Sequence, residues 1–288
     1  TLEGLGFHGE ALERIHNATK QTTGMILTTG PTGCGKTTTL YTILDILNTP
    51  EVNISTIEDP IEYQMPRVNQ TQVKTDIGFT FGNGLRSLVR QDPDIIMVGE
   101  IRDTETASLA INASLTGHLV LSTLHTNSAA GAMPRLIDMK IEPFLIVSTI
   151  KVIVGQRLVR KLDSQKEKYF LTNAEMKSLS KSVDLDRIFK ILKEEGVIGP
   201  KISSFEEVPF YRPKSSTENP DGYKIIIVIH EVLKMSPAIK DLIIENADSD
   251  KIEEQAKKEG MMTMIEDGIF KAVQGITSIE EILRVISE

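Results

Sequence analysis

With 288 residues, 40% of them hydrophobic and 25% charged, the chain can bury a large core with appendages, and its balance excludes an intrinsically disordered protein. A net charge of −8 supplies no general attraction for nucleic-acid phosphates, and a single cysteine, Cys34, excludes an intrachain disulfide or a cysteine-rich metal site. That usage suits a cytoplasmic protein, and the longest apolar runs, such as 225–229, fall far short of the ~20 residues of a membrane-spanning helix, so no membrane insertion is expected.

The start, Thr1-Leu2-Glu3-Gly4-Leu5, has neither an initiator Met nor the basic-then-apolar pattern of a signal peptide, and reads as a fragment cut from a longer chain. From Gly24 to about Leu162, short apolar runs alternate with helical patterns, as in a doubly wound parallel α/β sheet. Residues 25–29 read as a strand, followed by a glycine turn and a helix from Lys36 towards Leu47. Residues 52–57 read as a second strand. Phe81 to Arg90 has helical spacing, 94–99 is an apolar run of strand length, and a helix follows from Thr104 to Leu115. His118 to Leu124 is the next strand, with helices at Ser128 to Met139 and Phe144 to Leu162.

Between Asp163 and Gly222 Lys, Ser and Glu dominate, and Pro200, Pro209, Pro213 and Pro220 interrupt any long periodic element. This reads as an inserted, partly mobile segment with short helices between Glu175 and Glu195. A strand after Tyr223 and amphipathic helices to Glu288 complete a division into a core (1–162), an insert (163–222) and a small, mainly helical C-terminal part (223–288).

Gly30-Pro31-Thr32-Gly33-Cys34-Gly35-Lys36-Thr37 matches glycine, four residues, glycine, lysine, then serine or threonine, between a predicted strand and a predicted helix. Its glycines let backbone N–H groups converge on phosphate oxygens, and the helix N-terminus adds positive potential. Lys36 would reach the β- and γ-phosphates, Thr37 would hold Mg²⁺ through its hydroxyl, and Thr38 joins the nucleotide-binding set at the start of the helix. ATP with Mg²⁺ is the expected cofactor pair. Cys34 reads as an oxidation-sensitive bystander.

Glu100 follows the apolar run 94–99, where a strand delivers a carboxylate to the carboxyl edge of a parallel sheet, the edge at which open α/β sheets bind ligands. There it could hold Mg²⁺ through water or activate the attacking water; a helix N-terminal charge ahead of Thr104 is the alternative. Glu58-Asp59-Pro60-Ile61-Glu62 is a second acidic group after a strand, equally readable as a solvated turn. Arg86 and Arg90 could offset phosphate charge or pair on the surface.

These motifs together resemble the secretion and type IV pilus ATPase family. Residues 30–37 are similar to its Walker A loop, 56–63 to its Asp box, 90–94 and 99–103 to its Walker B region, and 116–127 to its His box. The resemblance implies a RecA-like ATPase working as a homo-hexamer through adjacent subunits, cytoplasmic and peripherally associated with an inner-membrane platform protein, with no nucleic-acid partner. It carries Glu100 over as the Walker B glutamate. Glu58, Asp59 and Glu62 become Asp-box residues, Glu58 and Glu62 as catalytic carboxylates beside Glu100 and Asp59 in the nucleotide-binding set, with Glu58 polarising water if Glu100 serves the metal. His118 and His125 become His-box residues that sense or contact nucleotide; taken without the family, either reads as a structural histidine.

Assembly-type members carry two Cys-x-x-Cys pairs that hold zinc after the segment matching 156–160, where this chain has Asp163-Ser164-Gln165-Lys166, so no zinc is expected. The family's N-terminal domains are also absent from the resemblance, which implies low activity for the isolated chain. The stretches 256–264 and 275–282 resemble the end of assembly-type motors, which favours powering of a type IV pilus or a type II secretion pseudopilus. A retraction-type motor and a DNA-translocating or conjugative ATPase on the same core are the alternatives.

Overall fold

The computed structural model describes all residues except Glu218 and Glu288, so the expected end of the last helix at Glu288 lies outside the described residues. The chain packs as two units, Thr1–Gln156 with Glu231–Met261, and Arg157–His230 with Met262–Glu288. This differs from a division into three consecutive parts.

The first unit opens with α1 (Leu2–Leu5) and α2 (Gly9–Thr19), neither of which was read from the sequence. Thr1 caps α1 through its side chain, and Arg14 of α2 donates to the carbonyls of Val232 and Glu259, both at 2.8 Å. Then follow β1 (Gly24–Thr29), α3 (Lys36–Leu47), β2 (Ile54–Glu58), β3 (Val68–Gln72), α4 (Phe81–Leu88), β4 (Ile95–Val98), α5 (Thr104–Leu115), β5 (Leu119–Leu124), α6 (Ala132–Asp138) and α7 (Pro143–Thr149). Asp103 caps α5, accepting from Thr106 N at 2.8 Å.

The chain passes into the second unit within β6 (Ile150–Leu162). There it forms β7 (Lys166–Phe170), α8 (Asn173–Leu179), α9 (Leu185–Glu194) and β8 (Pro209–Pro213), and it returns within β9 (Tyr223–Lys234). Helices α10 (Pro237–Ile244) and α11 (Ser249–Lys258) belong to the first unit, α12 (Met264–Val273) and α13 (Ile279–Ser287) to the second.

The sheet of the first unit runs β3-β2-β4-β5-β1-β6-β9, joined by β6 through residues 150–156 and by β9 through residues 231–234. Pairing is parallel from β3 to β6. Strands β1, β2, β4 and β5 are buried at every position, as expected where helices cover both faces. Met25, Ile96, Val98, Val120, Ile153 and Ile239 belong to its core.

Two helical expectations need correction. The helix predicted over Phe144 to Leu162 ends at Thr149, and the rest is β6, in which Val152, Ile153 and Val154 lie opposite Ile26, Leu27 and Thr28 of β1. Stiff β-branched side chains fit that pleated, buried position better than a helix. The helix predicted from Ser128 starts only at Ala132, because Ser128 Oγ accepts from Gly131 N at 3.1 Å in a turn. The mainly helical C-terminal part is divided between the two units.

In the second unit, β7 and β8 pair antiparallel, and neither was read from the sequence. The predicted short helices appear as α8 and α9, whose Leu179, Ile188 and Leu192 share a core with Ile269, Phe270 and Ile282 of α12 and α13. Residues 163–222 therefore form a common body with the end of the chain. Glu281 is nearly fully buried there; against the upward push of burial, hydrogen bonds from Arg160 and Arg284 bring its carboxyl down to about 2. Among the described residues no helix is long and apolar enough to cross a membrane.

Candidate nucleotide site

Strands β2, β4, β5 and β1 are adjacent and parallel, so their carboxyl ends stand in a row carrying Glu58, Glu100, His125 and Gly30. At the ~4.8 Å spacing of neighbouring strands, β4 lies ~10 Å and β2 ~14 Å from β1. Topology thus gathers onto one edge residues that are as much as 95 positions apart in sequence, from Gly30 to His125.

The loop after β1 turns through Gly33 (φ 78°) and Gly35 (φ 84°), a left-handed backbone that favours glycine. Gly35 is the N-cap of α3 and makes no side-chain hydrogen bond, so the loop leads directly into the N-terminal end of the helix, the end whose dipole favours an anion. The Lys36 ammonium is drawn across the loop, donating to the carbonyls of Gly30 and Pro31 at 2.8 Å each. Pro31, Thr32, Gly33 and Thr38 are exposed, Cys34 is buried and Thr37 is half-buried at the same mouth.

Glu100 is held at both oxygens: Arg102 Nη2 lies 2.6 Å from Oε1 and His125 Nε2 3.2 Å from Oε2. The loop bearing His125 is tied to β1, because Thr126 N donates to Thr29 Oγ1 at 3.0 Å and the two threonine hydroxyls meet at 2.5 Å. The Walker-like loop, the β4 carboxylate and this histidine are therefore connected through the last residues of three adjacent strands.

Glu58 stands differently. Its side chain is nearly fully buried and accepts from Tyr41 OH, from Thr56 Oγ1 at 2.6 Å and from Gln70 Nε2 at 3.2 Å. Burial and the hydrogen bond to Glu58 push the Tyr41 hydroxyl well above its ordinary pKa. Tyr41 lies in α3 and packs edge-on against Tyr63, so the cluster links the helix after the phosphate loop to the Asp-box segment. Asp59, which precedes a cis proline, and Glu62 are exposed.

His118 is not brought to this edge. It precedes β5, its carbonyl accepts from Gly24 N at the start of β1, and its Nδ1 lies 2.9 Å from Ala113 O. The six residues of β5 separate it from His125, a span of ~20 Å at the rise of a strand. Arg86 pairs with Glu105 at 2.6 Å on the surface, and Arg90 is exposed.

The sequence reading missed Gln156. Fully buried in β6, it donates from Nε2 to Cys34 O at 2.7 Å and accepts from Thr39 Oγ1 at 2.8 Å. Read as helix, this stretch gave no sign that Gln156 lies beside the phosphate loop. Tyr41 and Arg102 were likewise legible only as ordinary helix and motif residues.

A family model described as Type II/IV secretion system protein matches residues 1–284. The type II secretion system protein E of Xanthomonas campestris pv. campestris is 48% identical over 285 residues, which are 99% of this chain and 47% of that protein. The type IV pilus assembly ATPase PilB of Pseudomonas aeruginosa is 44% identical over 287 residues, covering 100% of this chain and 48% of the relative. Among solved structures, the pilus retraction motor PilT with bound ADP matches with a TM-score of 0.66 and 29% identity, over 98% of this chain and 65% of that one. The chain spans about half the length of the curated relatives it matches. Its fold is that of RecA-like P-loop ATPases. With the family match running nearly end to end and identities of this level, the chain belongs to the Type II/IV secretion system protein family.

Proposed function

We propose that this chain is the ATP-hydrolysing core of a motor that assembles a type IV pilus or a type II secretion pseudopilus. The observation that carries the reading is the row of strand ends that sets the glycine loop with Lys36 beside Glu100 and His125. Backbone N–H groups of residues 32–36 and the start of α3 would cradle the phosphates, with Lys36 moving from its loop carbonyls to phosphate oxygens. Thr37 would hold Mg²⁺. Glu100 would accept the proton of the attacking water through acceptor capacity left on its two oxygens beside Arg102 and His125. His125 would report nucleotide state through Glu100, whereas Glu58 would anchor the Asp box.

Identities of 44–48% to proteins named for secretion and pilus assembly, against 29% to a retraction motor, support the assembly reading. A hexamer working on an inner-membrane platform from the cytoplasmic side is part of the same proposal. Titration calorimetry tests it: the chain binds Mg-ATP, EDTA weakens the binding, and Lys36→Ala lowers the affinity at least tenfold through loss of a charge-assisted contact. Equal affinity in Lys36→Ala would remove the phosphate cradle from the reading.

A further inference from the structure

We propose that Gln156 is a positioning residue of the nucleotide site, holding the phosphate loop in register with the first turn of α3; the proposal rests on the ATP-binding reading above. A phosphate cradle turns its N–H groups towards the ligand, so its carbonyls must find partners elsewhere. Cys34 is 4% exposed, and a carbonyl buried that deeply needs a donor from the protein. Gln156 supplies it: its Nε2 lies 2.7 Å from Cys34 O.

The other end of the same amide is used as well. Thr39 Oγ1 donates to Gln156 Oε1 at 2.8 Å, and both side chains are fully buried. A primary amide donates from its nitrogen and accepts at its oxygen, which is what bridging a carbonyl and a hydroxyl requires. Gln156 comes to this place because Gly155 lies opposite Thr29 in the parallel β1–β6 pair, which sets the next residue of β6 beside the first residue of the loop. The amide touches no reacting atom. Its effect is on where the loop N–H groups point, and hence on phosphate affinity more than on the chemical step.

The test compares Gln156→Glu, Thr39→Val and Lys36→Ala with the wild type, in full-length protein, by thermal melting, Mg-ATP titration and steady-state hydrolysis. Gln156→Glu keeps the shape and the bond from Thr39, and with the titrations and kinetics run at about pH 9, so that the buried carboxyl is ionised, it turns a carboxylate towards the Cys34 carbonyl. The expected result is a Kd and a KM for Mg-ATP raised about tenfold, with kcat lowered less than threefold. Thr39→Val, which loses only the helix half of the bridge, is expected to raise them about threefold. Wild-type affinity in a folded Gln156→Glu, alongside weakened binding in Lys36→Ala, overturns this inference and leaves the nucleotide site standing. A kcat loss larger than the KM rise also overturns it. Should Gln156→Glu fail to fold, Thr39→Val decides: unchanged affinity refutes the bridge. A wild type that binds no Mg-ATP defeats the underlying site reading instead.

Discussion

Replacing Glu58 by Gln separates the two carboxylates that the sequence offers for water activation. In the structure Glu58 lies ~14 Å from β1 by strand spacing, and its two oxygens accept from three donors, Tyr41, Thr56 and Gln70. Hydrogen bonds to a charged group contribute about 1.5–3 kcal/mol each and neutral ones about 0.5–1.5 kcal/mol. Glu58→Gln keeps the volume but removes the charge, and its amide N–H₂ must face one of the donors. The expected loss is about 1–3 kcal/mol of folding stability, read as a lower urea midpoint at unchanged slope. Hydrolysis by the full-length protein is expected to stay within a few-fold of wild type. Glu100→Gln, in contrast, is expected to keep ATP affinity within a few-fold and to lose about 10²–10⁴ in turnover, the scale of a positioned acid–base group. A Glu58→Gln protein as stable as wild type that has lost hundred-fold turnover would refute the reasoning and return the water-polarising role to the Asp box.

Gly33→Ala meets no atom within 4 Å, so its effect comes from a backbone at φ 78°: about 1–2 kcal/mol of destabilisation together with weaker Mg-ATP binding, seen by urea unfolding and calorimetry. Because the Glu281 carboxyl is brought down from 4.5 to about 2 in the fold, it contributes stability that is complete above about pH 4.5 and disappears as pH falls towards 2. A urea midpoint followed across that range should decline with acid, and Arg160→Ala should flatten the decline; an unchanged slope would contradict the Arg160–Glu281 pairing. Elemental analysis of protein prepared in metal-free buffer should find no stoichiometric zinc, since one cysteine cannot supply the thiolates of a structural zinc site.

Local chemistry made much of this protein legible from its amino acids. Gly30 to Thr37 announces a phosphate loop because glycines at set spacing permit one backbone path, and the run before Glu100 announces a buried strand because four consecutive apolar residues need cover on both faces. Glu58 and Glu100 were named from their positions after predicted strands, and His118 and His125 only through the resemblance to the family's His box. What the linear chain leaves undecided is which end of a strand faces the ligand and what each side chain meets there. His118 and His125 lie on the two ends of one strand, so only the pairing of β5 with β1 and β4 shows that His125 reaches Glu100 and His118 does not. Glu58 and Glu100 read alike as acids after apolar strands, yet Tyr41, Thr56 and Gln70 close over the first while Arg102 and His125 hold the second at the mouth. The same holds for 150–162, whose apolar spacing suits a helix or a buried strand equally; β1 supplied the hydrogen-bonding edge that made it β6 and set Gln156 against the phosphate loop. Periodicity and motif spacing are properties of neighbours along the chain, whereas burial, register and hydrogen-bond partners come from residues brought together across it, and those tertiary contacts assigned each candidate its place.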